Sequence, residues 1–278
     1  MGFLNNKVAM ITGAGRKKGL GAGIARRFAE EGAKVIITDI GESTKNLLPS
    51  KHIGTFDEMK QVAELISYET NQCVESVVCD VTSEKSVCDA IDKIVSIHKR
   101  IDIVVNNAGV GFIMKPLVDL TIEEWDIVLN VNLRGAFLVT KYASQKFIEQ
   151  ASGGRIINIA SQAAKSPAQF LAHYTSSKHG LVGLTRTAAL ELGEYGITVN
   201  AVCPNHVTTD LGAVQNERRG KVLGTDTEGV LSFRKNKIPL GRVGKVNDTA
   251  NTCVFLASDQ AEYITGESIN VSGGEEMH

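Results

Sequence analysis

The chain has few cysteines and no pattern that would pair them. Five cysteines are spread over 278 residues, and none belongs to a C-x-x-C motif or to a Cys/His spacing typical of a metal site. They are Cys73, Cys79, Cys88, Cys203 and Cys253. We therefore expect free thiols, with no disulfide and no metal.

Long apolar runs and an excess of charge are also missing. The apolar segment at 8–12 is too short to span a bilayer, and the first residues show no basic region followed by an apolar core. The 30 basic residues nearly balance the 31 acidic ones, giving a formal net charge of −1. This balance disfavours nucleic acid or an anionic membrane as a partner. We expect a cytoplasmic protein that binds a small molecule, with no nucleic-acid and no membrane partner.

What the chain does contain is an alternation of apolar segments and helical patterns. The length and the 43% hydrophobic content fit one α/β domain over residues 1–278. This alternation predicts a doubly wound, central parallel sheet of about seven strands with helices on both faces and a ligand cleft at the strand carboxyl ends. The predicted strands cover residues 7–12, 34–38, 74–78, 101–105, 156–159, 197–202 and 266–271.

The first strand leads into the glycine-rich turn TGAGRKKGLG and then into a helix that ends at Gly32. Glycines allow backbone to approach a diphosphate closely, and the free amides of a helix N-terminus attract its charge. We therefore expect Gly15, Gly19 and Gly21 to cradle cofactor phosphates. Asp39 follows the second strand, 18 residues after Gly21 (39 − 21), where a carboxylate can accept hydrogen bonds from ribose hydroxyls.

Three side chains after the fifth strand suggest proton chemistry. Ser161 follows the strand, and Tyr174 and Lys178 lie four residues apart, which places them on one face of a helix. A nearby ammonium favours the ionised form of a phenol and lowers its pKa from about 10. Tyr174 would then carry a proton while Ser161 binds the reacting oxygen and a hydride moves on or off carbon. The spacing of Tyr174 and Lys178 alone also fits an exposed helical pair.

Together with Asn106-Asn107-Ala108-Gly109 and the segment NVNLRG, these motifs resemble the short-chain dehydrogenase/reductase family over nearly the whole chain. The resemblance implies a single-domain Rossmann fold, an oxidoreductase acting on CH–OH groups, a nicotinamide cofactor and a homo-oligomer, either tetramer or dimer. The catalytic residues that it implies are Asn132, Ser161, Tyr174 and Lys178. The cofactor-binding residues that it implies are Gly13, Gly15, Gly19, Leu20, Gly21, Asp39, Asp80, Val81, Asn107, Ala108, Gly109, Tyr174, Lys178, Pro204, Val207 and Thr209.

Several of these residues have a second interpretation. Asp80 also fits a solvent-facing turn, and Asn107 also fits a structural role that links strand ends. Asn132 either marks a helix distortion where its amide holds a water or is satisfied by neighbouring backbone. His206 is either a substrate contact or a structural residue.

The chain departs from the family pattern in two places, the glycine turn and Asn205, and carries two further polar segments. Two extra residues lengthen the glycine turn around Lys17 and Lys18, which fit either a solvated bulge or a contact with cofactor phosphate. Asn205 replaces the usual glycine after proline. Residues 41–55 form an insertion that is longer than an ordinary turn. The polar segment 211–239 carries the basic clusters RRGK and RKNK, and we predict a substrate lid there, with a preference for an anionic substrate as one hypothesis.

The leading function is NAD-dependent interconversion of a secondary alcohol (a polyol, a sugar or a related small hydroxy compound) and its ketone. Two features affect the choice of cofactor in opposite directions. Asp39 would repel the 2′-phosphate of NADP, and Arg16, Lys17 and Lys18 would attract it. NAD is favoured because Asp39 is fixed at a strand tip, whereas the lysines are on a bulge. The alternatives are a 3-oxoacyl-thioester reductase, which uses the same four catalytic residues, and a nucleotide-sensing protein without turnover.

Overall fold

The computed structural model describes residues 2–41, 55–111 and 113–278. Within these ranges seven parallel strands form one sheet in the order β3-β2-β1-β4-β5-β6-β7. The chain adds β2 and β3 on one side of β1 and then adds β4 to β7 on the other side. A crevice opens at this change, at the carboxyl ends of β1 and β4. The strands are β1 (Val8–Thr12), β2 (Lys34–Asp39), β3 (Val74–Val78), β4 (Ile103–Asn106), β5 (Gly154–Ile159), β6 (Ile197–Pro204) and β7 (Ser268–Val271).

Helices cover both faces of the sheet, which explains why β1, β4 and β6 are buried along their whole length. One face carries a core built with α1 (Leu20–Glu30), α2 (Phe56–Thr70) and α9 (Val246–Ala257). The opposite face packs α3 (Glu84–His98), α5 (Ala136–Gln150) and α6 (Ala172–Leu192). The predicted single-domain, doubly wound fold is thereby confirmed.

The long helical region predicted near Asn132 contains the distortion that the asparagine suggested. Helix α4 (Ile122–Leu129) passes through a π-helical segment, Asn130–Gly135, before α5 begins. Asn132 lies in this segment and is buried. Such π-turns widen a helix locally and are frequent at functional sites.

The segment predicted as a lid contains two helices, α7 (Asp210–Leu223) and α8 (Thr227–Lys237). Thr209 caps α7 through its hydroxyl, and Asp226 caps α8 through its carboxylate, because both side chains accept a hydrogen bond from an amide of the first turn. Of the predicted insertion at 41–55, residues 42–54 lie outside the described residues. Gly41 and Thr55, at its two ends, form a parallel bridge.

Candidate active site

A cavity of about 480 Å³ opens at the carboxyl ends of the strands, where the reversal of strand order predicted a cleft. Most of the predicted site residues line it. Gly15, Gly21 and Asn132 are not part of its wall. The predicted residues that line the cavity are Gly13, Gly19, Leu20, Asp39, Asp80, Val81, Asn107, Ala108, Gly109, Ser161, Tyr174, Lys178, Pro204, Val207 and Thr209.

The glycine turn brings β1, β4 and α1 into close backbone contact. Gly13 has φ +63°, and a Cβ there would lie 2.6 Å from Ala108 Cα. A Cβ on Gly21 would lie 2.6 Å from Asn107 Nδ2 and 2.8 Å from the Gly13 carbonyl oxygen. The residue that precedes α1, Gly19, supplies no side-chain cap. The first amides of α1 are therefore without a side-chain acceptor beside the cavity, an arrangement that suits a cofactor diphosphate.

Asn107 ties this turn to β4. Its Nδ2 donates to the carbonyl oxygens of Thr12, at 2.8 Å, and Gly13, at 3.0 Å. The Thr12 hydroxyl in turn accepts hydrogen bonds from the amides of Asn107 and Ala108, both at 3.0 Å. The Asn107 amide thus performs the structural task that we considered for it, while the residue also lines the cavity.

Asp39 lies at the end of β2, and its carboxylate binds two backbone amides. Oδ2 accepts from Gly15 N at 2.9 Å and Oδ1 accepts from Ile40 N at 2.8 Å. Burial raises the pKa of Asp39, and these two hydrogen bonds oppose that rise. Arg16 also lines the cavity, and its positive charge lowers the pKa of Asp39. The tip of β2 and the glycine turn are therefore one connected unit.

Asp80 and Val81 follow β3 at the same edge of the sheet. Asp80 Oδ1 accepts hydrogen bonds from the Thr82 amide at 2.9 Å and from the Thr82 hydroxyl at 2.7 Å. One carboxylate oxygen of Asp80 is thus used within its own turn. Val81 is buried and faces the cavity.

Ser161, Tyr174 and Lys178 converge on one wall of the cavity, as their spacing predicts. Tyr174 and Lys178 lie one turn apart on α6, and Ser161, whose Oγ accepts from Ala163 N at 3.1 Å, is close enough to lower the pKa of Tyr174. Lys178 Nζ donates to the carbonyl oxygen of Ile159 at 2.7 Å and lies 5.7 Å from the centroid of the Tyr174 ring. The carbonyl at the end of β5 therefore orients the ammonium.

The expected lowering of the Tyr174 pKa by Lys178 is not what the structure shows. Burial raises the pKa of Tyr174, and the nearby Ser161 side chain opposes that rise. Burial also lowers the pKa of Lys178 to about 8. The ammonium donates to Ile159 O and lies over the Tyr174 ring, and desolvation by burial dominates the pKa of both groups.

Asn132 lies behind the cavity wall rather than in it. Its Oδ1 accepts from Val110 N at 2.8 Å, and its Nδ2 donates to Val110 O at 3.0 Å and to the Ser177 hydroxyl at 3.1 Å. A Cβ on Gly109 would lie 3.4 Å from Asn132 Oδ1 and 3.7 Å from Lys178 Nζ. The amide is satisfied by protein groups, mostly backbone, and its role in holding a water stays a prediction.

The loop after β6 closes the far end of the cavity. Asn205, which replaces the usual glycine, donates from Nδ2 to Ser272 O at 2.8 Å and to Glu275 Oε2 at 3.0 Å. Val207 forms a parallel bridge with Gly244. The Thr209 hydroxyl accepts from Gly212 N at 3.2 Å, so it caps α7 as well as lining the cavity. Asn205 thus fastens the loop to the C-terminal segment of the chain.

Two contacts of this site were not predicted from the sequence. The acceptor for Lys178 is a main-chain oxygen, which no residue pattern marks. The extended glycine turn is bound by Glu58 of α2, whose Oε1 accepts from Lys17 N at 3.2 Å. In a sequence, an acidic residue in the first turn of a helix ordinarily indicates only a favourable interaction with the helix dipole, so this contact could not be predicted.

All five cysteines are free thiols. Across the described ranges the structure contains no group of three or more His, Cys, Asp or Glu side chains that would hold a metal. A search of the described helices found none with the length and apolar character needed to cross a membrane.

The comparisons with known proteins agree with this geometry. The profile of a family described as "Enoyl-(Acyl carrier protein) reductase" matches residues 13–276. The 3-oxoacyl-[acyl-carrier-protein] reductase FabG of Aquifex aeolicus is 37% identical over 98% of this chain and 98% of its own. A crystal structure of NAD⁺-bound xylitol dehydrogenase superimposes with a TM-score of 0.87 at 32% identity, covering 98% of this chain and 99% of the other.

A variant of actinorhodin polyketide ketoreductase, crystallised with NADPH, superimposes with a TM-score of 0.88 at 31% identity, covering 100% of both chains. The protein is a nicotinamide-dependent oxidoreductase that acts on CH–OH groups. It belongs to the short-chain dehydrogenase/reductase family.

Proposed function

We propose that the protein interconverts a secondary alcohol, such as a polyol, a sugar or a related small hydroxy compound, and its ketone, with NAD as the preferred cofactor. The observation that carries this proposal is the convergence of Ser161, Tyr174 and Lys178 on the wall of the same cavity that the glycine turn lines. A binding protein without turnover has no need for a serine hydroxyl and a phenol in one cavity wall beside a buried ammonium.

In this proposal Tyr174 is the acid/base group. During oxidation it takes the hydroxyl proton of the substrate, and during reduction it returns a proton to the carbonyl oxygen. The nicotinamide ring, when bound, accepts or supplies the hydride. Ser161 orients the substrate oxygen next to the phenol, since both side chains line the same part of the cavity.

Lys178 and Asn132 act behind Tyr174. The Lys178 ammonium would stabilise the phenolate that forms during turnover and would bind ribose hydroxyls of the cofactor. Asn132 keeps the π-turn and the Val110 backbone in place and supports a water relay that exchanges the proton with solvent. Because the pKa of Tyr174 is raised, the neutral phenol is its resting form, and the relay provides a path by which it loses and regains its proton during turnover.

The cofactor residues fall into three groups along the cavity. Gly13, Gly15, Gly19, Leu20 and Gly21 would hold the diphosphate at the start of α1. Asp39, Asp80 and Val81 would contact the adenosine, and Asn107, Ala108 and Gly109 the adjacent ribose. Pro204, Val207 and Thr209 would hold the nicotinamide carboxamide, together with the positions of Tyr174 and Lys178.

The preference for NAD rests on Asp39. Its carboxylate is fixed by Gly15 N and Ile40 N beside the cavity, so a 2′-phosphate there would bring like charges together. Relatives of this chain are known with each of the two cofactors. The experiment is a panel of alcohols and ketones with NAD(H) and NADP(H), followed through the absorbance of the reduced nicotinamide.

A 3-oxoacyl-thioester reductase is the second candidate, and the similarity to FabG of Aquifex aeolicus favours it. Turnover of acetoacetyl thioesters with kcat/KM above that of every polyol or sugar in the panel would select it. Cofactor binding without turnover of any compound would instead favour a nucleotide-sensing protein.

We also propose that α7 and α8 form a lid over the substrate and that the chain assembles into a homo-oligomer, a tetramer or a dimer, in the cytoplasm. Ser176 and Gly183 are exposed small residues on α6, which a neighbouring helix could approach closely. Light scattering at micromolar concentration tests the assembly, and a monomer would contradict it.

A further inference from the structure

Two acidic residues that follow β7 bind two loops of the candidate active site. The first to consider is Glu276, which is only 8% exposed, although a carboxylate taken out of water costs free energy unless protein groups bind it. Its Oε2 accepts a hydrogen bond from the Ser166 hydroxyl at 2.5 Å, and its Oε1 lies 2.9 Å from His278 Nδ1. This buried carboxylate therefore holds the loop after β5.

The backbone of Glu276 is fixed from the end of β7. The Ser272 hydroxyl donates to Glu276 O at 3.0 Å and accepts from Glu276 N at 3.2 Å, and Asn270 Nδ2 donates to Glu276 O at 3.4 Å. Ser272 is itself buried. The strand therefore sets the position of the carboxylate that holds Ser166.

Ser166 belongs to the short turn that begins at Ser161. Its amide donates to Gln162 O at 2.9 Å, and Ala164 N donates to Ser161 O at 2.8 Å. The Ser161 hydroxyl accepts from Ala163 N at 3.1 Å within the same turn. Since these hydrogen bonds link neighbouring residues, a displacement of Ser166 is passed directly to the turn that fixes the Ser161 hydroxyl.

Glu275 holds the second loop, the one that leaves β6. Its Oε2 accepts from Asn205 Nδ2 at 3.0 Å, and the same Nδ2 donates to Ser272 O at 2.8 Å. Asn205, Val207 and Thr209 all line the cavity. Two adjacent carboxylates therefore hold the two loops that meet at the cavity.

We infer that this carboxylate pair, Glu275 and Glu276, positions the reacting groups. Glu276 sets the place of Ser161, and Glu275 sets the place of the loop proposed to hold the nicotinamide. The inference rests on the proposed function for the roles of Ser161 and of that loop. Neither carboxylate is part of the cavity wall, so both are positioning residues rather than catalytic ones. Because the two side chains hold different loops, the loss of each should change a different quantity.

The first test concerns kcat, measured with the compound of the substrate panel that the wild type turns over fastest. Glu276→Ala and Ser166→Ala should each lower kcat by about tenfold, within the loss of about 10²-fold that misplacing a reacting group can cause. The dissociation constant of NAD should stay within about threefold of the wild-type value. The two losses should not add in the double variant, because both changes break the same contact.

Conservative variants distinguish a lost contact from general damage. Ser166→Thr keeps a donor and Glu276→Gln keeps an acceptor, so each should recover most of the lost kcat. Glu262→Gln, at an exposed position, is the matched control and should behave like the wild type. Thermal midpoints verify that each variant folds, and Ser166→Ala carries the test should Glu276→Ala not fold.

The second test concerns cofactor binding. Glu275→Ala should raise the dissociation constant of NAD by about threefold or more, the size of one lost hydrogen bond, and leave kcat at saturating NAD nearly unchanged. Glu275→Gln keeps an acceptor for Asn205 Nδ2 and should bind NAD like the wild type. Calorimetry measures this binding without any substrate.

Hydrogen exchange of the peptide that covers residues 161–166 gives a further readout that needs no turnover. Exchange there should quicken in Glu276→Ala and in Ser166→Ala but not in Glu262→Gln, because the turn loses one of the contacts that hold it closed.

The outcomes separate this inference from the proposed function. Wild-type turnover with kcat unchanged in Glu276→Ala and Ser166→Ala, or equal losses of kcat and NAD affinity in all three alanine variants, would overturn the positioning roles and leave the reaction standing. Absence of wild-type turnover on every compound, with faster exchange at 161–166 and weaker NAD binding in Glu275→Ala, would support the positioning roles and overturn the reaction. Absence of turnover with unchanged exchange and unchanged NAD binding would overturn both.

Discussion

Replacing Lys178 by methionine should change how the stability of the ligand-free protein depends on pH. Burial lowers the pKa of this ammonium from its ordinary 10.5 to about 8. Each pKa unit corresponds to about 1.4 kcal/mol, so burying the charge costs the folded state about 3 kcal/mol. The hydrogen bond to Ile159 O recovers part of this cost.

The direction follows from proton binding in the two states. Below pH 8 both the folded and the unfolded chain carry the proton, and the full cost is present. Between pH 8 and pH 10.5 the folded state releases its proton first, so the unfolded state binds more protons and stability rises with pH. From about pH 7 to about pH 10 the free energy of unfolding of the wild type should therefore rise by more than about 2 kcal/mol relative to Lys178→Met.

Urea unfolding of both proteins at a series of pH values from about 7 to about 10 measures this difference, and other titrating groups cancel because they are common to both. Lys93→Met, which removes an exposed lysine of α3, is the matched control and should follow the wild type at every pH. A wild-type-to-variant difference that is constant over this range would refute the reasoning, because it would mean that the Lys178 ammonium keeps its solvation in the folded protein.

Three further predictions concern the site. Tyr174→Phe should lower kcat by about 10²–10⁴-fold, because the acid/base group is lost, while the NAD dissociation constant measured by calorimetry changes less than about threefold; near-normal kcat would contradict the assignment. Asp39→Ser should reduce the ratio of kcat/KM with NAD to that with NADP by about tenfold, as expected from removing a like charge, and an unchanged ratio would show that Asp39 does not discriminate. Gly21→Ala should destabilise the protein by about 1–3 kcal/mol and weaken NAD binding because its Cβ would meet Asn107 Nδ2 at 2.6 Å, whereas the control Gly193→Ala, with nothing within 4 Å, should do neither.

The elements of this site were predictable from the sequence where one residue pattern determines one structure. The glycine turn, the four-residue spacing of Tyr174 and Lys178, and the tip of β2 at Asp39 each follow from local rules of backbone freedom and periodicity. The distortion around Asn132 was also readable, because asparagine competes with helical hydrogen bonds.

The features that could not be predicted from the sequence depend on atoms that come together only in the folded chain. The carbonyl that binds Lys178 belongs to Ile159, 19 positions away, and a main-chain oxygen has no sequence signature. The balance between burial and charge at Tyr174 likewise depends on three-dimensional packing, which is why the predicted direction of its pKa was wrong. The partner of His206 was equally hidden, because its Nε2 lies 3.0 Å from Nδ2 of Asn216 only once α7 is folded against it.

The two residues that lengthen the glycine turn bear on cofactor choice through Glu58. This carboxylate accepts a hydrogen bond from Lys17 N at 3.2 Å, and its negative charge raises the pKa of Asp39. It therefore draws the extended turn towards the first turn of α2 and adds negative charge next to Asp39. Both effects oppose the attraction that the turn lysines would exert on a 2′-phosphate.

Replacing Glu58 by glutamine keeps an acceptor for Lys17 N but removes the charge. We expect kcat/KM with NADP to rise about threefold relative to NAD, the size of an exposed electrostatic contact, and the gain to shrink as salt is added. Glu64→Gln, at an exposed position further along α2, is the control and should leave the ratio unchanged. If Glu58→Gln leaves the ratio unchanged while Asp39→Ser alters it, discrimination rests on Asp39 alone, and the longer turn is a structural feature without influence on cofactor choice.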